Sequence, residues 1–325
     1  MLVVVGDAMS DIVVRPSAPL VDGGDTPAEI SVGHGGSGAN LAVAAAAAGA
    51  EVHLLAAVGA DAVGKSLEVG LTAAGVHPHL QRCARPTGTV VSVVHDGGER
   101  SLLSDRGANS ELTGAALRGG YWRPGTHLHV SGYVLADHAT RPVGLTALRR
   151  AAAAGMTRSV DPSPRPCRLP AADWCVVNLP EGRALTGRQE ASEIAAALLG
   201  RFEVVAITLG PGGAIMAARG KANLHLTAIP ADVTDTTGAG DAFSGTWIAR
   251  LLAGDDPAQA VHAALAAASR VVAVRGAGWA QAASSPNLPE ARGSPRPDEA
   301  RDGHHRGQVG GQFRRLAAAG RVDVD

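Results

Sequence analysis

The chain has 325 residues, 46% of them apolar, with 29 Lys plus Arg against 30 Asp plus Glu. That length supports one large domain or two small ones. The balanced charge gives no pull toward nucleic acid or a membrane surface, and 3% aromatics offer few platforms for stacking single strands. Cys83, Cys167 and Cys175, without C-x-x-C spacing, form neither a disulfide framework nor a zinc site and read as small buried hydrophobes of a reducing compartment. The opening MLVVVGD lacks a basic n-region and reaches Asp7 too early for a signal peptide. The uncharged residues 30–50 carry His34, Asn40 and five glycines, a poor membrane span. The expected location is the cytoplasm.

In chain order, the sequence predicts a strand over 2–6 and a strand–turn–strand over 12–34. A near-pure alanine helix follows over 41–50, then a strand over 52–58 and a helix over 66–75. Residues 87–106 read as a second hairpin with DGGE (96–99) at its turn. Strands over 127–132, 158–162, 174–178 and 204–210 then alternate with helices over 141–155, 191–202 and 244–254. Near-continuous apolar strands alternating with helices predict an α/β fold, a doubly wound and mostly parallel sheet flanked by helices. The two hairpins do not belong in such a sheet; they predict a small separate β lid, from segments at about 12–34 and 87–106. From about residue 284 the chain turns rich in Pro, Gly, Arg and His, so the expected folded domain is 1–283 and 284–325 a disordered tail. FRRLAAAGRV (313–322) has the composition of a transient helix, and His304-His305 reads as solvent-facing rather than metal-binding.

Two glycine-rich stretches compete for a phosphate. GADAVGKS (59–66) fits G-x-x-x-x-G-K-[ST], after an apolar strand and before a helix. The second, DTTGAGDAF (235–243), opens the helix at 244–254. Gly238, Ala239 and Gly240 would offer unpaired backbone N–H groups at a helix start, where the dipole favours an anion. Asp241 in the same turn is out of place beside an anion unless it takes a proton from an attacking hydroxyl. A helix-capping role is the plain alternative.

DTTGAGDAF resembles the C-terminal signature of the PfkB, or ribokinase-like, carbohydrate kinase family. GHGGSGANLAVAAAAAGA (33–50) is similar to that family's G-G-x-x-x-N-x-A, Asn178-Leu179-Pro180-Glu181 to its N-x-x-E, and TLGPGG (208–213) to its T-x-G-x-x-G loop. All four stand in family order over about residues 1–280. The resemblance places GADAVGKS at the family's V-G-x-D-x-x-G, with Asp61 and Gly64 matching, so that Lys65 and Ser66 complete a P-loop pattern by chance. A true P-loop also wants a metal-holding Asp after an apolar strand, and the nearest, Asp161, has a polar lead-in.

The resemblance implies ATP-dependent phosphorylation of a hydroxyl on a sugar or sugar-like molecule, with Asp241 as general base and Gly238, Ala239 and Gly240 as the anion hole. Asn178 and Glu181 would organise Mg²⁺, Glu181 through water; Thr208, Gly210 and Gly213 would contact the nucleotide. Asp11, Gly35, Gly36 and Asn40 would face the sugar. Arg106 either returns from the lid toward substrate or stays a solvated surface arginine. Asp235 and Thr237, with Val274 and Gly276, would supply carbonyls to a monovalent cation, K⁺. Met9 and Ser37 stand where ribokinase carries Asn and Lys, and the Gly132–Tyr133 region replaces an expected acid, so ribose is not the default substrate. A nucleoside kinase, a non-catalytic nucleotide- or sugar-binding regulator and a P-loop NTPase are the competing readings. The exposed edge of the lid suggests a homodimer.

Overall fold

The computed structural model describes residues 1–94, 100–162, 168–274 and 279. The predicted turn at 96–99, Cys167, Gly276 and the segment from 284 lie outside the described residues.

The elements are β1 (Leu2–Val5), β2 (Met9–Pro16), β3 (Ala28–Gly35), α1 (Ser37–Ala47), β4 (Val52–Gly59), α2 (Ala62–Ala73), β5 (Val76–Cys83), β6 (Thr89–Val94) and β7 (Arg100–Asp105). After two short 3₁₀ turns come β8 (His127–Val130), α3 (Gly132–Ala136), α4 (Arg141–Ala153), β9 (Thr157–Val160), β10 (Trp174–Asn178), α5 (Leu179–Thr186), α6 (Ala191–Leu199) and β11 (Val204–Thr208). The described elements end with β12 (Ala214–Ala218), β13 (Leu224–Leu226), α7 (Ala239–Ala253) and α8 (Pro257–Val272).

Nine strands form one sheet in the order β13-β12-β11-β10-β9-β8-β1-β4-β5. The seven from β11 to β5 are parallel, and β12 and β13 add antiparallel at one edge. The pleat splits the core in two. Leu2 and Val4 face one layer with residues of α1, α2, α7 and α8, whereas Val3 and Val5 face the other with residues of α3, α4 and α6. The two predicted hairpins form a second sheet, β3-β2-β6-β7, in which β2 and β6 pair in parallel.

Helix starts lie earlier in the chain than the alanine pattern suggests, because glycines occupy the first turns. A Cβ at Gly38 would stand 2.5 Å from the Gly6 Cα, and one at Gly245 would stand 2.2 Å from the Leu41 carbonyl oxygen. These contacts seat α1 on the end of β1 and α7 on α1. Sequence reasoning missed β5, β12, β13 and α8. Pro78 sits inside β5, where an edge strand tolerates it.

Candidate active site

Strand order reverses around β1, whose neighbours β4 and β8 lead away in opposite directions. Ligands of open α/β sheets bind outside the carboxyl ends of the strands at such a point. The rim there carries Asp7 after β1, Ser131 and Gly132 after β8, Asp161 after β9, Asn178 at the end of β10 and Thr208 at the end of β11. Ser131 donates its N–H to the Val5 carbonyl at 2.9 Å, and Asn178 and Thr208 are register partners.

Helix α7 points its start at this rim. Its N-cap is Gly238, in the left-handed region at φ 76°, without a side-chain cap. The Ala239 N–H reaches the Thr236 carbonyl only at 3.4 Å, and those of Gly238 and Gly240 have no partner among the described residues. A Cβ added at Gly240 would meet nothing within 4 Å. Asp241, in the next position, accepts from Ser37 Oγ at 2.9 Å and Asn40 Nδ2 at 3.0 Å, one donor to each carboxylate oxygen. Burial pushes its carboxyl up to about 6, against the lowering effect of those two hydrogen bonds and with help from Asp161. Asn40 in turn accepts on Oδ1 from the Trp279 indole N–H at 2.8 Å. An indole only donates, so this bond fixes which end of the amide faces Asp241.

Asn178 and Glu181 form a reciprocal capping box at the start of α5. The Glu181 N–H donates to Asn178 Oδ1 at 2.8 Å and the Asn178 N–H to Glu181 Oε2 at 2.9 Å. The plain capping role is therefore realised. Yet Glu181 is also pushed up to about 7, by burial first, with Asp161 and Asp241 adding to it. Asp161 accepts from the Gly132 N–H and lies 3.4 Å from Nε2 of the buried His129. Tyr133 is raised to about 12 by burial, Asp241 and Asp161. Among the described residues no three His, Cys, Asp or Glu side chains gather closely enough to hold a metal directly.

Thr208, Gly210 and Gly213 form the tight β11–β12 turn, with Gly210 at φ 58° and Gly213 at φ 91°. A Cβ at Gly213 would strike the Leu226 carbonyl oxygen at 2.0 Å. Asp11 is buried at 3% exposure on β2, opposite Gly33 and against Gly35. Gly36, at φ 97°, lies against the Asp7 carbonyl, to which the Ala39 N–H donates at 3.0 Å. Thr234 and Asp235 donate their N–H groups to the Val272 carbonyl at 2.7 and 3.1 Å, placing the 235–237 loop beside the end of α8 and Val274.

Arg106 is not a solvated surface residue. Its guanidinium grips both Asp7 oxygens, at 2.7 and 3.1 Å, and also donates to Asp137. Burial holds Asp7 above the usual carboxylate range even so. Sequence reasoning missed Asp7, Ser37, Asp137 and Trp279 as site residues and considered Asp161 only as a metal ligand of a P-loop. At 59–66, Asp61 caps α2 by accepting from the Gly64 N–H at 2.7 Å, and exposed Lys65 pairs with Glu68 at 2.7 Å. A carboxylate already occupies that helix start, which leaves it unsuited to phosphate.

A doubly wound sheet with a carboxylate and open amides at one helix start defines the class, a small-molecule kinase fold. The pfkB family carbohydrate kinase profile matches residues 1–282, and the chain belongs to that family. It is 29% identical over 259 residues to a Haemophilus influenzae ribokinase, covering 76% of this chain and 83% of the relative. It is 32% identical over 297 residues to the bifunctional protein HldE of Coxiella burnetii, covering 85% of this chain and 61% of that longer protein. The crystal structure of a Cryptococcus neoformans ribokinase in complex with ADP superposes with a TM-score of 0.69 at 27% identity, covering 85% of this chain and 94% of that one. The protein is a carbohydrate kinase, and its family implies ATP-dependent phosphorylation of a sugar.

Proposed function

We propose that the protein transfers the γ-phosphoryl group of ATP to a hydroxyl of a sugar or sugar-like alcohol, with Asp241 as general base. The observation that carries this reading is the carboxylate itself: half-buried, held by two donors, raised to about 6, and following directly on the turn that holds the open amides of Gly238 and Gly240. A base in that range is ionised at neutral pH yet basic enough to take the proton of an attacking alcohol. The open N–H groups at the start of α7, with Ala239, would receive charge building on the phosphoryl oxygens.

Thr208, Gly210 and Gly213 are proposed to contact the nucleotide. Asn178 and Glu181 would hold Mg²⁺ through water. Hard oxygen donors suit such an ion, which neutralises phosphate charge when bound, and Glu181, pushed up by burial and by nearby Asp161 and Asp241, would be relieved by a cation. Asp11, Gly35, Gly36 and Asn40 would read the sugar hydroxyls beneath the small sheet acting as a lid. Arg106 is proposed to brace that floor through Asp7 and Asp137. Backbone carbonyls of Asp235, Thr237 and Val274 would hold a K⁺ ion near the anion hole. A panel of sugars, sugar acids and nucleosides, read by coupled ADP formation, tests the proposal. The expected result is turnover with a sugar-like acceptor and faster rates with K⁺ than with a bulky organic cation. Turnover of nucleosides alone would move the substrate class, and ADP formation from no acceptor would leave a binding protein.

A further inference from the structure

Away from the rim, an open cavity of about 470 Å³ lies between α4, α6 and the segment before β10, lined in part by Arg141, Arg168 and Arg201 over Leu145, Leu169 and Pro170. A smaller cleft of about 290 Å³ continues from it along α4 and adds His138 and Arg149. Among the described residues no Asp or Glu lines either one. Among the described residues, Arg141, Arg168 and Arg201 have no carboxylate partner, unlike Arg106, Arg158 and Arg250 elsewhere in the chain.

The guanidiniums of Arg141 and Arg201 are held in place. Arg141 donates to the Leu135 carbonyl at 2.6 Å and to the Arg168 carbonyl at 2.9 Å. Arg201 donates to the Leu169 carbonyl at 2.6 Å and lies over the Phe202 ring at 5.5 Å. Neutral carbonyls orient a guanidinium without cancelling its charge, and each keeps further N–H donors from its set of five. Arginine forks match phosphate oxygens bidentately, and donors fixed in advance lose little entropy on binding. Two such groups over an apolar floor, with the exposed Arg168 and Arg149 beside them, fit a compact polyanion with a non-polar body.

We propose that this arginine-lined cavity is a second ligand site, separate from the phosphoryl-transfer rim, that takes a small phosphorylated molecule carrying at least two phosphate groups. The test is calorimetric titration of the full chain with inorganic pyrophosphate while a non-hydrolysable ATP analogue saturates the rim. One pyrophosphate site is expected to persist under the analogue. Arg168→Ala combined with Arg201→Ala is expected to weaken it by about tenfold or more, the scale for losing charged hydrogen bonds. Arg168→Ala alone removes an exposed side chain and keeps the backbone carbonyl that accepts from Arg141, so it reads the site without disturbing the fold; it should weaken binding by a smaller factor. Displacement of pyrophosphate by fructose 1,6-bisphosphate would mark a phosphosugar ligand, and displacement by ADP under the same saturation a nucleotide. Loss of the pyrophosphate signal once the analogue is bound, or wild-type affinity in the double variant, would overturn the proposal.

Discussion

At the scale of single residues, Asp241 carries opposing demands. An acid whose folded pKa is raised above its ordinary value binds its proton more tightly folded than unfolded. Its contribution to stability is therefore greatest at low pH and is lost as pH rises through about 6. Catalysis as proposed needs the ionised form. Activity is thus expected to fall on the acid side with an apparent pKa near 6, and the pH profile of kcat/KM measures it. Asp241→Asn is the sharper probe. The amide oxygen can face Asn40 Nδ2, and the amide nitrogen can donate to Ser37 Oγ once that hydroxyl reverses. The variant is therefore expected to lose about 10²–10⁴ in kcat while its thermal midpoint at neutral pH is no lower than wild type. Near-normal turnover would remove Asp241 from the role of base. Asp241 itself was legible from the sequence through its place in a glycine-rich helix start. Ser37 was not, since its bond to Asp241 spans 204 residues. Asp7 and Asp137 escaped notice for the same reason: their meaning comes from Arg106, which only the fold brings to them.

At the scale of elements, the site depends on how closely two helices approach. Gly245 lets α7 lie on the Leu41 carbonyl of α1, and that contact brings Asp241 over Ser37 and Asn40. Gly245→Ala forces a backbone shift, since its Cβ would stand 2.2 Å from that oxygen. An overpacked contact of this kind costs about 1–3 kcal/mol. Urea unfolding should show the loss, and kcat should fall with it because the donors part from the carboxylate. In contrast, Lys65→Ala should leave turnover nearly unchanged, since the Lys65 side chain is exposed and among the described residues engages only Glu68; loss of ATP binding would restore the P-loop reading. Strands β1, β4, β10 and β11 were legible because each is a largely apolar run between breaker residues, and β8 and β9 through their place in the alternation with helices. β5, as VHPHLQRC, alternates polar residues and contains a proline, and β13 has three residues, too few for a pattern. The starts of α1 and α2 were obscured because glycines demanded by close packing look like loop residues.

For the whole molecule, the small sheet shows opposite characters on its two faces. Asp11, Val13 and Ser92 are buried toward the body. On the other face, register places Val32, Ile12, Val91 and Leu103 in one row across all four strands, with Ile30, Val14 and Val93 in the next. Val32, Leu103 and Ile30 are 72%, 63% and 61% exposed. An apolar sheet face of this extent favours burial against a second copy. The homodimer suggested by the lid edge is therefore expected to form through this face. Sedimentation velocity should find a dimer that Val32→Lys with Leu103→Lys converts to monomer, and a wild-type monomer at high concentration would contradict it. The existence of this sheet was legible in the two hairpin patterns; its apolar face was not, because the row belongs to four strands from distant parts of the chain.

The bond from Trp279 to Asn40 has a consequence for observing the protein at work. Trp174 and Trp247 lie in the core, and the Trp122 indole is tied to the Leu117 carbonyl, whereas Trp279 is half-buried and only one side chain removed from Asp241. Any molecule that shifts Asn40 alters the surroundings of that single chromophore. A molecule bound beside Asn40 is therefore expected to change the Trp279 share of the protein's emission, which reads occupancy without a label.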